Sequence, residues 1–263
     1  MIDPALRKAL SLLEQTVSTL GAVTAWPTDP EARPDSPWST HAVPTLVLVI
    51  SGAMRMEGPR RRCDLKPRQA LLIEPASLHL HGAMHRKSVV LSLGVLPAWC
   101  DLQFRLHDGR HWLGRLPLHP TCNLLESALL TNDAQTRRTR TQAVLTQILD
   151  EQLDDLNFAD NDLWPMIGLL WDRAHDPTLT SEDLVNTSGF SRASAYRRFR
   201  AGYGTTPAEA ITTTRLALAR WLLLREIPVT EVARRAGFPS RATFTRCWRR
   251  RFGSPPSQTT NNR

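Results

Sequence analysis

Two short arginine-rich segments carry the chemistry most plainly written in this chain. In the first, Ser191 to Arg200, the residues Arg192, Ala193, Tyr196, Arg197 and Arg200 fall on one side of a helix. In the second, Ser240 to Arg251, the same side holds Arg241, Ala242, Thr245, Arg246 and Arg249, with Arg250 beside them. The opposite side of each is apolar at i and i+4: Ala195 with Phe199, and Phe244 with Trp248. A guanidinium presents a rigid fork of donors that matches the O6 and N7 acceptors of guanine, and a small neighbour lets the helix press into a DNA major groove. Arg197 and Arg246 are placed for base contact. Arg200, Arg249 and Arg250 suit phosphates, whose contacts position a protein without reading sequence. One such helix could equally be a solvated basic face; its repetition in the same chain argues for the groove.

The elements around these segments also repeat. Each is preceded by a short helix-like stretch and a Gly-Phe pair, Gly189-Phe190 and Gly237-Phe238, and opens on a serine able to cap a helix. The glycine permits a tight turn, and the phenylalanine after it is expected to drop into the core between the two helices, the sequence form of a helix-turn-helix. Between the copies, Thr206-Pro207-Ala208-Glu209 is a capping box with proline at the first helical position, and Pro228 lies beyond the end of the helix it starts. A helix to about Arg225 would be roughly 28 Å long. A rod of that length can hold two reading helices about one DNA turn, roughly 34 Å, apart.

The stretch from about Leu179 to Pro256 resembles the DNA-binding domain of the AraC family of bacterial transcription regulators. The resemblance rests on the first Gly-Phe-Ser helix, the Gly-Thr-Thr-Pro start of the linker, the Arg-Leu-x-x-Ala-Arg-x-Leu-Leu run from Arg215, and the Val-x-x-Val-Ala-x-x-x-Gly-Phe unit from Val229. Pro239, Trp248 and Ala195 depart from the family habit of a small polar residue, a phenylalanine and a larger aliphatic. Ala195 is therefore expected to pack its helix less firmly. The resemblance implies a sequence-specific regulator of transcription, with 161–263 as the DNA-binding domain and 1–160 as an effector-sensing and dimerisation domain. Its partners would be a duplex operator, a small-molecule effector, a second copy of the chain and RNA polymerase.

Charge follows the same division. From Asp176 onward there are 15 arginines, no lysine and six acids, a net +9, so the remaining 18 basic and 19 acidic residues sum to −1. A domain holding the whole positive excess is the electrostatic footprint of a polyanion partner. No amphipathic helix joins that charge to a broad apolar face, which disfavours a membrane surface. With 41% hydrophobic residues in 263, no apolar run of spanning length and no signal-peptide pattern, the expectation is a two-domain cytoplasmic protein. Cys63, Cys100, Cys122 and Cys247 lack metal-ligand spacing and read as free thiols.

The first half reads as α+β. Leu6, Leu10, Leu13, Val17 and Leu20 recur at helical spacing. Short strands are expected at 45–52, 53–58, 63–75 around a turn at 66–69, 77–82 and 88–96, the pattern of a small barrel or jelly roll. Their order is similar to the cupin-like effector domain of the same family, although Pro67-Arg68-Gln69 and Glu74-Pro75-Ala76 stand where its usual turns would be. The stretch 101–120 shows no clear period and is left unassigned. Two helices are expected at 122–132 and 142–156, and the family analogy makes them the dimer contact. Leu163 to His175 is expected as a supporting helix of the second domain, with Trp164 and Trp171 as core.

His79 and His81 alternate along one strand, with His85 nearby, the start of a cupin metal set. No glutamate follows at the needed place, so no metal is expected. A metal-dependent cupin enzyme fused to a DNA-binding module remains the alternative function, although neither a nucleophile and base nor a glycine-rich phosphate loop is present, and no cofactor is called for. For an effector, a small molecule such as a sugar, the polar and aromatic groups on offer are Trp38, His41, His79, His81 and Trp99. An anionic effector at Arg60, Arg61, Arg62 and Arg68 is the second choice, against a solvated turn.

Overall fold

A computed structural model describes residues 4–28, 40–97, 99–117, 123–150 and 161–258. They form two compact units: residues 1–29 with 44–161, and residues 30–43 with 162–263.

The first unit opens with α1 (Pro4–Ser18), whose predicted stripe of Leu6, Leu10, Leu13 and Val17 is buried. Among the described residues nine strands follow: β1 (Val23–Trp26), β2 (Thr45–Ser51), β3 (Met54–Gly58), β4 (Arg61–Leu65), β5 (Ala70–Ile73), β6 (Leu80–Met84), β7 (Val89–Val95), β8 (Trp99–Leu106) and β9 (His111–Pro117). They make a six-stranded sheet in the order β1-β5-β2-β7-β8-β9 and a three-stranded sheet in the order β4-β3-β6. Val47, Val49, Leu71, Ile73 and Val90 of the larger sheet pack with Met54, Met56 and Leu65 of the smaller around one apolar core. The β-rich half is thus two sheets over a shared interior.

Three strands extend the sequence reading. Residues 23–26, to which the sequence reading gave no strand, form β1, parallel to β5. The unassigned stretch forms β8 and β9, a hairpin turning at His107 to Arg110, where Asp108 accepts from the Arg110 backbone N–H at 3.1 Å. Six of the first seven β8 residues are buried on both faces, which erases the period-2 signal.

Beyond the sheets lie α2 (Asn123–Leu130) and α3 (Ala134–Asp150). The second begins eight residues before the expected 142, because Asp133 accepts from the backbone N–H of Thr136 at 2.6 Å and starts a helix in a polar, arginine-containing run. Thr141, Val144, Leu145 and Ile148 are its buried side. Cys122 and residues 151–156 of the expected dimer helices lie outside the described residues.

The elements among the described residues of the second unit are helices: α4 (Trp164–Arg173), α5 (Ser181–Thr187), α6 (Arg192–Tyr203), α7 (Pro207–Leu224), α8 (Val229–Arg235) and α9 (Arg241–Phe252). Together the halves are the α+β class expected. Trp164 and Trp171 meet edge to face at 5.9 Å, with Trp171 buried in the core. The linker α7 starts at its capping box, in which Thr206 and Glu209 exchange side-chain and backbone hydrogen bonds. These bonds hold the Glu209 carboxyl below its ordinary range. At 18 residues the helix is about 27 Å long. Arg215 lies within it, buried, and donates Nε to Ala174 O at 2.8 Å and Nη2 to Asp176 O at 2.7 Å and Leu179 O at 3.1 Å. One guanidinium thereby binds three carbonyls between the end of α4 and the start of the first motif, and fixes the linker to that stretch.

Candidate nucleic-acid interface

Each basic helix is started, stopped and turned by its own sequence. Ser191 and Ser240 are extended N-caps whose hydroxyls accept from the backbone N–H of Ser194 at 3.4 Å and Thr243 at 3.1 Å. Gly204 and Gly253 end the helices in the left-handed region at φ 68° and 73°. Rotation about the helix axis is set by the apolar side: Ala195, Phe199 and Tyr203 are buried in α6, and Phe244 and Trp248 in α9. That leaves Arg192, Ala193, Arg197 and Arg200 exposed on α6 with Tyr196 half-buried, and Arg241, Ala242, Arg246, Arg249 and Arg250 exposed on α9 with Thr245 half-buried. The eleven residues predicted to face DNA therefore all lie on the outer sides of two helices.

On α9 the stripe borders a single open concavity of about 540 Å³, lined by Arg241, Ala242, Thr245, Arg246 and Arg249. Ala242 is the small residue among the arginines of this lining, as groove approach requires. The helix carries five arginines and no acid. On α6 the arginines are more committed. Arg192 Nη1 lies 3.1 Å from Glu182 Oε2 of α5, and its guanidinium is 5.7 Å from the Tyr196 ring. Arg198 stacks on Phe190 at 4.5 Å.

Phe190 corrects one expectation. Phe238 enters the core and packs on Phe244 at 5.2 Å, whereas Phe190 stays half-buried under Arg198. The physical cause is a single aligned pair: Ala195 occupies the place of Phe244 and offers Phe190 no ring to meet. Sequence reading also missed Glu182 and Arg198, whose only signal was their position one helix away from, or behind, the basic stripe.

The effector residues are dispersed. Trp38 lies outside the described residues, and of His81 only its place on β6 is described. His41 belongs to the second unit, where it packs edge to face on Trp171 at 5.8 Å and lies 3.8 Å from Asp172; Ala42 N donates to Trp171 O at 3.0 Å. It is therefore removed from the sheet interior assigned to it, because the backbone of 40–43 docks on α4 before the chain enters β2. His79 is fully buried with Nδ1 3.0 Å from Ser77 O, and burial pulls its pKa down to about 4. Trp99 is buried and donates Nε1 to Asp101 Oδ2 at 3.0 Å. Among the described residues no group of three His, Cys, Asp or Glu side chains could hold a metal.

A polar row that the sequence did not single out lies on β8. Arg105, Gln103 and Asp101 pair with Val90, Ser92 and Gly94 of β7, and Val90 belongs to the core between the sheets. Residues directly opposite share a face, so this row looks into the same interior. Arg105 Nη2 lies 3.8 Å from Met54 Sδ, and burial lowers its pKa.

Residues 184–262 match the model of a helix-turn-helix domain, which spans both motifs and the linker just described. This C-terminal domain is of the AraC type. The chain is a DNA-binding transcription regulator. It is 27% identical to the RCS-specific transcriptional activator RclR of Escherichia coli over 80% of this chain and 81% of that protein. It is 42% identical to the virulence regulon activator VirF of Yersinia enterocolitica and 39% identical to the regulator ExsA of Pseudomonas aeruginosa, each over about a fifth of either protein. Among solved structures it is similar to the DNA-binding domain of AdpA in complex with a target DNA, 30% identical over 39% of this chain and 92% of that one, with a TM-score of 0.36. No helix among the described residues is long and apolar enough to cross a membrane.

Proposed function

We propose that the protein controls transcription by reading duplex DNA with α6 and α9 together, under the control of a small molecule bound in the β-rich unit. The observation that carries the DNA part is the pair of capped, arginine-faced helices whose rotation is locked by buried aromatics. Arg197 and Arg246, with Arg192, Ala193, Tyr196, Arg241, Ala242 and Thr245, read bases; Arg200, Arg249 and Arg250 hold phosphates. Site selection from random duplex DNA tests it, and should return two short blocks about one helical turn apart. Arg246→Ala should cost roughly 1 to 3 kcal/mol on the selected site and relax one base position, while Arg249→Ala should weaken all sequences alike and flatten the salt dependence. Equal, sequence-blind losses from both would sink the assignment.

The effector is a small polar molecule, of which a sugar is one, met by the inward row Ser92, Asp101, Gln103 and Arg105 rather than by the dispersed histidines. Carboxylate, amide, guanidinium and hydroxyl groups on one buried face are the complement of a polyol. Its binding would shift DNA affinity only to the extent that it favours one arrangement of the protein. A dimer through α2 and α3 would place two such readers on one operator. Calorimetric titration of the whole chain with sugars and with small anions discriminates the ligand class, and heat absent from Gln103→Leu locates the site.

A further inference from the structure

The two reading helices have the same arginine at their first helical position, Arg192 and Arg241, yet the structure treats them differently. Arg192 is engaged by Glu182, the second residue of α5, at 3.1 Å, and its guanidinium lies 5.7 Å from the Tyr196 ring one turn on. The second residue of α8 is Thr230, exposed and uncharged. The next residue of α8, Glu231, turns along its own helix to pair with Arg234, leaving no carboxylate for Arg241.

We propose that Glu182 is a positioning residue that sets the base preference of the first reader by holding the Arg192 guanidinium toward the groove, a restraint the second reader lacks. The proposal rests on α6 reading DNA. An arginine side chain has many rotamers, and ordering it on binding opposes association. A carboxylate that occupies one edge of the guanidinium, with an aromatic ring alongside, orders it beforehand and leaves its remaining N–H groups for a base edge. Side-chain exposures of 69% for Arg192 and 48% for Glu182 keep that edge accessible. An exposed pair of this kind contributes little to folding, so its value lies in geometry. The same carboxylate repels phosphates. The first reader therefore gives up affinity for DNA in general and gains discrimination, while Arg241 binds more readily and with less preference.

The test uses the full chain, the duplex site selected by the unaltered protein, and a random duplex of equal length. Glu182→Ala should leave the unfolding temperature in place and raise affinity for random duplex. It should lower the ratio of preferred to other bases at one position of one block about 5- to 10-fold, the lower range for a single guanidinium–base pair. The other block should not change. Thr230→Glu, which installs a carboxylate at the matching position of α8, should raise preference at one position of the other block several-fold while lowering affinity for random duplex. If Glu182→Ala strengthens every sequence alike and Arg192→Ala still erases the preference, Glu182 only repels DNA and the proposal is overturned. If Arg192→Ala leaves all base ratios intact, Arg192 reads no base; that outcome removes the first-reader assignment itself, independently of the Arg246→Ala result.

Discussion

The first and second helix-turn-helix units share caps, turn glycines and arginine spacing, but their interiors are built differently. Aligned from their capping serines, Ala195 stands for Phe244, Phe199 for Trp248 and Tyr203 for Phe252. In the second unit the rings run in series: Phe238 to Phe244 at 5.2 Å, Phe244 to Trp248 at 5.6 Å and Trp248 to Phe252 at 4.3 Å. In the first unit Phe199 meets Tyr203 at 4.9 Å, and Phe190 is covered from outside by Arg198. Outer faces with the same arginine spacing can therefore rest on differently built cores. A DNA-facing stripe needs a fixed helix rotation and does not need a particular way of fixing it.

The largest effect should come from removing the central ring of the second unit. Phe244→Ala, at a fully buried site, should cost about 3 to 5 kcal/mol and free α9 to rotate. The matched change in the first unit runs the other way: Ala195→Phe, also fully buried, should cost about 1 to 3 kcal/mol by overpacking. Denaturant unfolding of both variants measures the pair. A cost for Phe244→Ala below that of Ala195→Phe would show that the ring series does not hold α9.

The turn glycines differ in the same sense. Both have positive φ, 70° at Gly189 and 80° at Gly237, which alone costs an alanine about 1 to 2 kcal/mol. A Cβ on Gly189 would meet nothing within 4 Å, whereas one on Gly237 would come within 2.6 Å of Ala174 O and 2.7 Å of the His175 carbonyl. Gly189→Ala should thus remain folded with only the backbone cost. Gly237→Ala should lose about 3 kcal/mol or more, because backbone has to move. Thermal unfolding of the two variants side by side gives the difference.

The groups that back the second turn also make it acid-sensitive. Burial lowers the pKa of His175 to about 4, opposed by Asp176 and assisted by Arg173 and Arg215, while Thr40 Oγ1 lies 3.1 Å from Nδ1. A histidine depressed below its unfolded value near 6.5 contributes stability that is present above that value and is lost as pH falls toward the folded one. Between pH 7 and pH 5 the loss should be about 2 kcal/mol. Hydrogen exchange should show it in α8 and α9 before α6, and His175→Asn should remove the slope. His79, lowered to about 4 in the first unit, imposes the same sign there.

What sequence could reveal follows the same physical line. The caps, the linker, the outer arginines and α1 were legible because each depends on residues a few positions apart. Six of the strands, β2 to β7, were legible from their apolar or alternating runs. The hairpin β8–β9 was not, since burial on both faces removes alternation, and its Asp108-Gly109 turn alone was too short a signal. The early start of α3 depended on one aspartate ahead of a polar run. His41 misled because its neighbour in space, Trp171, is 130 residues away, and the inward row Asp101, Gln103 and Arg105 becomes a set only through its register with β7. The role of Arg215 was hidden likewise, in carbonyls 36 to 41 residues distant.

The smallest expected effects are at the capping serines, where the two units are most alike. Ser191→Ala and Ser240→Ala each remove one acceptor for a backbone N–H at the start of a reading helix, a loss of about 1 kcal/mol. The bond is shorter in the second unit, 3.1 Å against 3.4 Å, and Ser240 Oγ also lies 2.9 Å from Thr243 Oγ1, so its cost should be the larger by a few tenths. The two caps sit beside Arg192 and Arg241, so fraying should reach DNA binding as well as stability. If the first reader is ordered by Glu182, an ion pair reaching it from another helix should keep Arg192 in place after its cap is lost. Ser191→Ala should then leave base preference in its block nearly intact, while Ser240→Ala blurs preference in the other. Unfolding of each variant gives the stability terms, and titration against matched and singly mismatched duplexes gives the preferences. Equal blurring in both blocks would mean that local capping alone orders the first turn of each helix, and that the difference between the two units stops at their cores.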